Sequence, residues 1–279
     1  MTPDPTGASE ETPGKSRFDD IYNEPDPRPY FRRLQPFEYE IPHQAQDVFR
    51  RVLAERARAP GAEGPVTVLD LCCSYGVNAA LLNHDLTLAD LYAHYTGPEA
   101  ASLTPAELIE RDKEFYASRR HSDAVPVIGL DAADRAVRYA QAVGLLDAAF
   151  AENLERHPPS DRLRKTLAGV DLITVTGGIG YVTHTTFDAL MSGTTPGRVW
   201  VSAFALRTVS YDAIAATLAE HGLTTVSDPS QVYPQRLFTG PEEKRNALEQ
   251  LRLTGHDPAG LESEGRYYTL LYESRPRRA

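Results

Sequence analysis

Short apolar runs alternate with amphipathic stretches along most of the chain, a pattern typical of βαβ units on a parallel sheet. The apolar runs predict seven strands, at residues 66–71, 125–130, 148–151, 170–176, 198–205, 223–226 and 266–273. Helical periodicity fills most of the intervals between them. We therefore predict an α/β fold with a mostly parallel seven-stranded sheet and helices on both faces.

Three segments depart from this alternation. Residues 1–16 are rich in Thr, Pro, Gly and Glu, and we expect them to be disordered. Residues 17–58 begin with a proline-broken aromatic stretch and form a predicted N-terminal lid. Residues 83–123 form a helical insertion after the first βα unit, with two predicted helices. The insertion either covers the binding site or provides a dimer contact. Residues 17–279 then form a single domain.

Composition narrows the classes of partner. The chain of 279 residues carries a net charge of -10, which disfavours a nucleic-acid partner because phosphate binding needs a field of Lys and Arg. A small-molecule substrate fits the charge better. The apolar runs are too short to cross a membrane, and we expect neither a secretory signal nor a membrane partner. The two cysteines are adjacent in sequence, which excludes an ordinary disulfide and suits the cytoplasm. A homodimer remains possible.

The turn after the first strand carries the clearest chemical signal. Asp70 ends the strand, and the small residues Cys72, Ser74 and Gly76 occupy alternate positions before the next helix. In doubly wound sheets the ligand lies outside the carboxyl ends of the strands, where small residues allow close approach of the backbone. A dinucleotide pyrophosphate needs a glycine-rich turn. The Cys and Ser at this turn therefore make a nicotinamide or flavin cofactor the weaker interpretation.

The turn resembles the first motif of class I S-adenosylmethionine (SAM)-dependent methyltransferases, an acidic residue followed by spaced glycines. Asp70 and Gly76 match the acidic residue and the last glycine, whereas Cys72 and Ser74 replace the two earlier glycines. The resemblance covers roughly residues 66–205, apart from the insertion. It implies a Rossmann-like fold and SAM as the cofactor.

The resemblance also implies roles for later residues. Asp131 ends the second strand, where the family's carboxylate accepts from both ribose hydroxyls. Glu152 and Asn153 follow the third strand, where the family contacts the adenine amino group. Residues 176–181 follow the fourth strand, beside the methionine portion. The implied SAM-binding residues are Asp70, Cys72, Ser74, Tyr75, Gly76, Asp131, Glu152, Asn153, Thr176 and Gly177.

The catalytic candidates are Tyr22, Tyr181 and His184. A sulfonium cation is attracted to aromatic faces, so the tyrosines at 22, 30, 75, 95 and 181 are possible neighbours of SAM, and we expect about two of them near it. His94 and His184 are possible general bases. Cys72 and Cys73 are better explained as small packing residues than as nucleophiles. We predict no metal site.

The residues leave three functions open. The first is methyl transfer from SAM to a small acceptor, driven mainly by alignment. The second is another SAM-dependent reaction, such as cyclisation of SAM to an azetidine with release of methylthioadenosine. The third is non-catalytic binding of SAM or a related nucleoside.

Overall fold

A central sheet organises the part of the chain that the structure describes. The computed structural model describes residues 21–60 and 64–277, so the predicted disordered tail lies outside the described residues. The strands are β1 (Val68–Leu71), β2 (Val127–Asp131), β3 (Ala148–Ala151), β4 (Leu172–Thr176), β5 (Trp200–Leu206), β6 (Leu223–Val226), β7 (Val232–Leu237) and β8 (Arg266–Pro276).

Helices precede, connect and follow these strands. They are α1 (Arg28–Leu34), α2 (Ile41–Ala57), α3 (Val77–Asn83), α4 (Leu88–Thr96), α5 (Pro98–Ser102), α6 (Pro105–Ala117), α7 (Asp134–Ala142), α8 (Asp161–Leu167), α9 (His184–Gly193), α10 (Asp212–Glu220) and α11 (Pro241–Leu253). Short 3₁₀ turns occur at Gln35–Phe37 and Glu262–Glu264.

The strand order is β3-β2-β1-β4-β5-β8-β6, and β7 pairs with β8 outside this path. Strands β1 to β5 are parallel, whereas β8 runs antiparallel to β5, β6 and β7. From β1 the chain adds β2 and then β3 on one side, whereas β4 and β5 lie on the other side, so the direction of the crossovers reverses between the neighbouring strands β1 and β4. In a Rossmann-like sheet this reversal opens a crevice at the carboxyl ends of the strands.

Helices cover both faces of the sheet, as predicted. Because side chains alternate along a strand, Val68 of β1 joins the core on one face, whereas Leu69 and Leu71 join the core on the other. Helices α2, α3 and α7 pack on the first face, and α8, α9 and α10 pack on the second. Burial on both sides explains why the parallel strands read as nearly continuous apolar runs.

The sheet has eight strands, one more than the seven predicted. The additional strand β7 contains Pro234, and its register with β8 shifts between Pro234 and Arg236. Proline cannot donate a ladder hydrogen bond and is confined to edges and bulges. The polar and proline-containing sequence of β7 therefore concealed it from pattern analysis.

The insertion leaves the sheet at the end of α3 and returns to the same place. His84 forms a β-bridge with Arg120, and the N–H of His121 donates to the carbonyl of Asn83 at 2.9 Å, so the two ends of the insertion lie side by side. The two predicted helices are present as α4 and α6, and the short α5 lies between them. Thr104 caps α6 through a capping box with Glu107.

The N-terminal segment, residues 21–40, lies between the insertion and the sheet, and we call it the strap. Phe31 stacks on Tyr95 of the insertion with ring centroids 4.7 Å apart. The Arg28 guanidinium donates to the carbonyls of Ala100 and Leu103 at 2.8 and 2.7 Å. The insertion thus holds the strap in place.

Candidate functional site

A cavity of about 780 Å³ opens at the carboxyl ends of β1, β2 and β4, at the point where the strand order reverses. The predicted site residues that line it are Tyr22, Cys72, Ser74, Asp131, Glu152, Asn153, Thr176, Gly177 and Tyr181. The strap lines it too, but the insertion does not, so the expectation that residues 83–123 cover the site directly is wrong. The insertion contacts the strap, and its Asp112 also accepts from Tyr139 of α7, so it supports elements that surround the cavity.

The turn after β1 keeps a glycine-like backbone without the glycines. Cys72, Ser74 and Gly76 all adopt the left-handed conformation, with φ of 59°, 47° and 77°. Non-glycine residues there cost of order 1–3 kcal/mol each and persist only when the surroundings hold them. The Cys72 side chain packs on Gly178, where an added Cβ would lie 2.6 Å from the Cys72 Sγ. The turn after β1 and the loop after β4 therefore pack closely against each other at the cavity.

Asp131 is held rigidly at the end of β2. Its Oδ2 accepts from the N–H of Ser74, and its Oδ1 accepts from the N–H of Ala133, both at 2.9 Å. Burial raises the pKa of the Asp131 carboxyl, and the backbone donors partly oppose that rise. A carboxylate has about four acceptor positions, so Asp131 keeps the capacity to accept from a ligand.

Asp70 lies beneath the cavity and does not line it. Its side chain is fully buried, and its Oδ1 accepts from Asn78 Nδ2 at 2.9 Å and from Thr174 Oγ1 at 3.0 Å. Burial raises the pKa of Asp70 to about 7, although these two hydrogen bonds lower it. Asn78 also donates to Thr176 at 2.9 Å, and both of these residues line the cavity. Asp70 therefore orients the cavity wall.

The loop after β3 forms the far side of the cavity. The carboxylate of Glu152 accepts from the N–H and hydroxyl of Ser160, at 2.9 and 2.6 Å. Asn153 Oδ1 accepts from the N–H of Glu155 at 3.0 Å. Glu155 in turn accepts from the N–H and hydroxyl of Thr183, both at 2.8 Å, which ties this loop to the start of α9. Burial opposes ionisation of Glu155, but hydrogen bonds from Thr186 and Thr183 hold its pKa below the usual value.

Four tyrosines line the cavity. Tyr22, Tyr30 and Tyr39 come from the strap, and Tyr181 comes from the loop after β4. The ring centroids of Tyr22 and Tyr30 lie 5.8 Å apart, and those of Tyr30 and Tyr39 lie 6.3 Å apart, in edge-to-face arrangements. Burial raises the pKa of Tyr22, Tyr30 and Tyr39, so these three hydroxyls stay protonated at neutral pH.

Several predicted site residues lie away from the cavity. Tyr75 is buried and its hydroxyl contacts the strap, and Gly76 begins α3 against Ala140. His184 is exposed at the first position of α9 and does not line the cavity. Of the five tyrosines considered beside SAM, those at 22, 30 and 181 line the cavity, and those at 75 and 95 do not.

The structure also shows the surroundings of His94, a candidate general base, and of the two cysteines. His94 Nε2 lies 2.7 Å from the buried carboxylate of Asp112 in the insertion, away from the cavity lining. Burial raises the pKa of the Cys72 and Cys73 thiols well above the usual value, which favours the neutral thiol. This agrees with packing roles for both cysteines.

Sequence reasoning missed several residues of the cavity wall, among them Tyr39, Asn78 and Glu155. Tyr39 belongs to the aromatic stretch that predicted a lid, and the aromatic composition of that stretch was the signal that could have placed Tyr39 at the cavity. Asn78 lies two positions after Gly76, in the first turn of α3, and Glu155 follows Asn153 by two positions. Asn78 and Glu155 reach the cavity because the parallel strands before them end at the same edge of the sheet, whereas Tyr39 reaches it through the strap.

The cavity is acidic. Its lining includes the carboxyl groups of Asp131, Glu152 and Glu155 and one guanidinium group, that of Arg156. Such a balance favours a cationic ligand over a phosphorylated one. Within residues 21–60 and 64–277, no group of three or more His, Cys, Asp or Glu residues is arranged to hold a metal ion. None of the helices described in the structure combines the length and the hydropathy needed to cross a membrane.

Comparison with known proteins gives a likeness in fold. No family model and no curated protein matches the chain. Among solved structures, the YcgJ protein of Bacillus subtilis is similar over 85% of this chain and 100% of its own, at 12% identity and a TM-score of 0.47. Magnesium protoporphyrin IX methyltransferase of Synechocystis, with bound SAM, is similar over 84% and 79%, at 13% identity and a TM-score of 0.39. The [4+2]-cyclase SpnF is similar over 82% and 81%, at 11% identity and a TM-score of 0.39.

Proposed function

We propose that the cavity binds SAM and that the protein transfers the sulfonium methyl group to a small-molecule acceptor. Asp131 is the observation that carries this proposal. Its carboxylate lines the cavity at the end of β2 and is fixed by the N–H groups of Ser74 and Ala133. Vicinal ribose hydroxyls each need an acceptor, and the two oxygens of a fixed carboxylate can serve them together.

The charge of the cavity supports SAM over a dinucleotide. Three carboxyl groups and one guanidinium group line the cavity, and a pyrophosphate would be repelled there. SAM has no phosphate and carries a sulfonium cation. Aromatic faces attract such a cation, and the tyrosines at 22, 30, 39 and 181 provide them.

The chain's residues then act mainly by alignment. Bound SAM supplies an activated methyl group, so transfer requires an acceptor held in line with the S–CH₃ bond. The protonated hydroxyls of Tyr22 and Tyr39 are suited to donate hydrogen bonds and to orient an acceptor. Strap residues Tyr22, Tyr30 and Tyr39 line the cavity and would limit the access of water to the cation. We infer a cytoplasmic setting, because both cysteines are free thiols.

The test is calorimetric binding of S-adenosylhomocysteine to the wild-type protein and to Asp131→Ala. Loss of hydrogen bonds to a charged group costs about 1.5–3 kcal/mol, so binding should weaken roughly 10- to 100-fold. The control is Asp134→Ala, which removes a carboxylate three residues away that pairs with Arg138 and does not line the cavity. Equal affinity in both variants would remove the ribose assignment.

A second reaction is cyclisation of SAM to an azetidine. The tyrosines that the strap contributes to the cavity lining favour it, because aromatic side chains there are suited to orient the methionine portion for attack by a nucleophile within SAM. The α-amine nitrogen bonds to Cγ as the Cγ–S bond breaks, the sulfur keeps the electron pair, and the nitrogen loses a proton. Product analysis separates the candidates: methyl transfer releases S-adenosylhomocysteine, and cyclisation releases methylthioadenosine. Neither product would favour a non-catalytic binding domain.

A further inference from the structure

The strap is tied to the floor of the cavity by one tyrosine hydroxyl. Tyr75 follows directly after the cavity-lining residues Cys73 and Ser74, and its ring is buried. Its hydroxyl accepts from the N–H of Glu24 at 2.9 Å. The carbonyl oxygens of Ile21 and Glu24 both lie 3.1 Å from it, within reach of the one proton it can donate.

These contacts secure a segment with little regular structure. Residues 22–27 form turns and bends, so their backbone groups rely on partners elsewhere in the chain. A second tether is Asn23, whose Oδ1 accepts from the N–H of Arg135 at the start of α7 at 2.8 Å. Tyr22 and Asn23 lie between Ile21 and Glu24, the two residues that contact the Tyr75 hydroxyl, and both line the cavity.

The aromatic ring of Tyr75 also contacts the strap. The Tyr75 and Tyr30 centroids lie 5.9 Å apart, and Tyr30 contacts Tyr22 at 5.8 Å, in both cases edge to face. Tyr75 therefore supports the aromatic wall from below and holds its backbone through the hydroxyl. Tyr75 does not itself line the cavity.

We propose that Tyr75 is a positioning residue that latches strap residues 21–24 closed over the ligand and so keeps Tyr22 against it. The identity of the ligand rests on the proposed SAM function, whereas the latch can be tested without any ligand. Binding and release of the ligand then require the hydrogen bonds between the Tyr75 hydroxyl and the strap to break.

The experiment is hydrogen–deuterium exchange on the full chain, comparing the wild-type protein with Tyr75→Phe. Peptides covering residues 21–27 should exchange about tenfold faster in the variant, while peptides from α3 and α7 keep their wild-type rates. Tyr211→Phe is the matched control, because it removes a buried hydroxyl from a ring stacked on Tyr272. Unchanged exchange at residues 21–27 in Tyr75→Phe, or an equal rise in Tyr211→Phe, would overturn the latch.

Two further measurements keep the result interpretable. Asn23→Ala changes only an exposed side chain, and it should also accelerate exchange of residues 21–27 by removing the second tether. Stopped-flow release of S-adenosylhomocysteine should be about tenfold faster in Tyr75→Phe than in wild type, and equal rates would contradict closure over the ligand. If the wild-type protein binds none, the proposed function fails, and the exchange data alone decide the latch.

Discussion

The buried carboxyl of Asp70 should make the stability of the protein depend on pH in a defined direction. Burial raises the pKa of Asp70 from 3.8 to about 7 in the folded protein. The folded state therefore binds more protons than the unfolded state between these values. This contribution to stability is fully present below about pH 4, falls as the pH rises through 7, and then levels off.

The magnitude follows from the shift of about three pKa units. Each unit corresponds to about 1.4 kcal/mol, so the full effect is roughly 4 kcal/mol, of which about 2.5 kcal/mol falls between pH 5 and pH 8. Asp70→Asn resembles the neutral acid and does not ionise. Relative to wild type, its free energy of unfolding should therefore rise by about 2.5 kcal/mol over this range.

The assay is urea unfolding at pH 5, 6, 7 and 8, because other titrating groups cancel in the difference between the two proteins. Asp123→Asn makes the same chemical change at an exposed position and should track wild type at every pH. A difference between Asp70→Asn and wild type that does not change with pH would refute the reasoning. So would a difference that changes with the opposite sign.

Two other variants test the packing around the cavity and the strap's support. Gly178→Ala should destabilise the protein by about 1–3 kcal/mol, because the new Cβ would lie 2.6 Å from Cys72 Sγ. Cys72→Gly should rescue it in a double-mutant cycle, and additive effects would contradict the clash. Gly240→Ala, which meets nothing within 4 Å, is the control. Asp112→Asn should cost about 1.5–3 kcal/mol in urea unfolding, because this buried carboxylate accepts from the hydroxyls of Tyr95 and Tyr139. A cost under about 0.5 kcal/mol would show that these hydrogen bonds are dispensable.

The parallel core of the fold was predictable because its physical signal is local. Strands buried on both faces need apolar residues throughout, and β1, β2, β4 and β5 each appear as such a run. The helices of the insertion were equally clear from their capping and periodicity. Strand β7 was missed because Pro234 and the polar residues beside it break the expected pattern.

The cavity was only partly predictable, since its position follows from topology but its wall does not. Asp131 at the end of β2 and Thr176 at the end of β4 both line the cavity, because parallel strands end at one edge of the sheet. Tyr39 reaches the cavity through the path of the strap, which depends on contacts such as that between Phe31 and Tyr95. The left-handed backbone at Cys72 and Ser74 was also hidden, because these residue types rarely adopt it.

The most direct test of the central claim is to incubate the purified protein with SAM, alone and with candidate small-molecule acceptors, and to measure binding by calorimetry and products by mass spectrometry. We expect saturable binding that weakens roughly 10- to 100-fold in Asp131→Ala, together with formation of S-adenosylhomocysteine when an acceptor is present. Methylthioadenosine from SAM alone would instead identify the cyclisation. If the wild-type protein binds neither SAM nor S-adenosylhomocysteine, the cavity is not a SAM site.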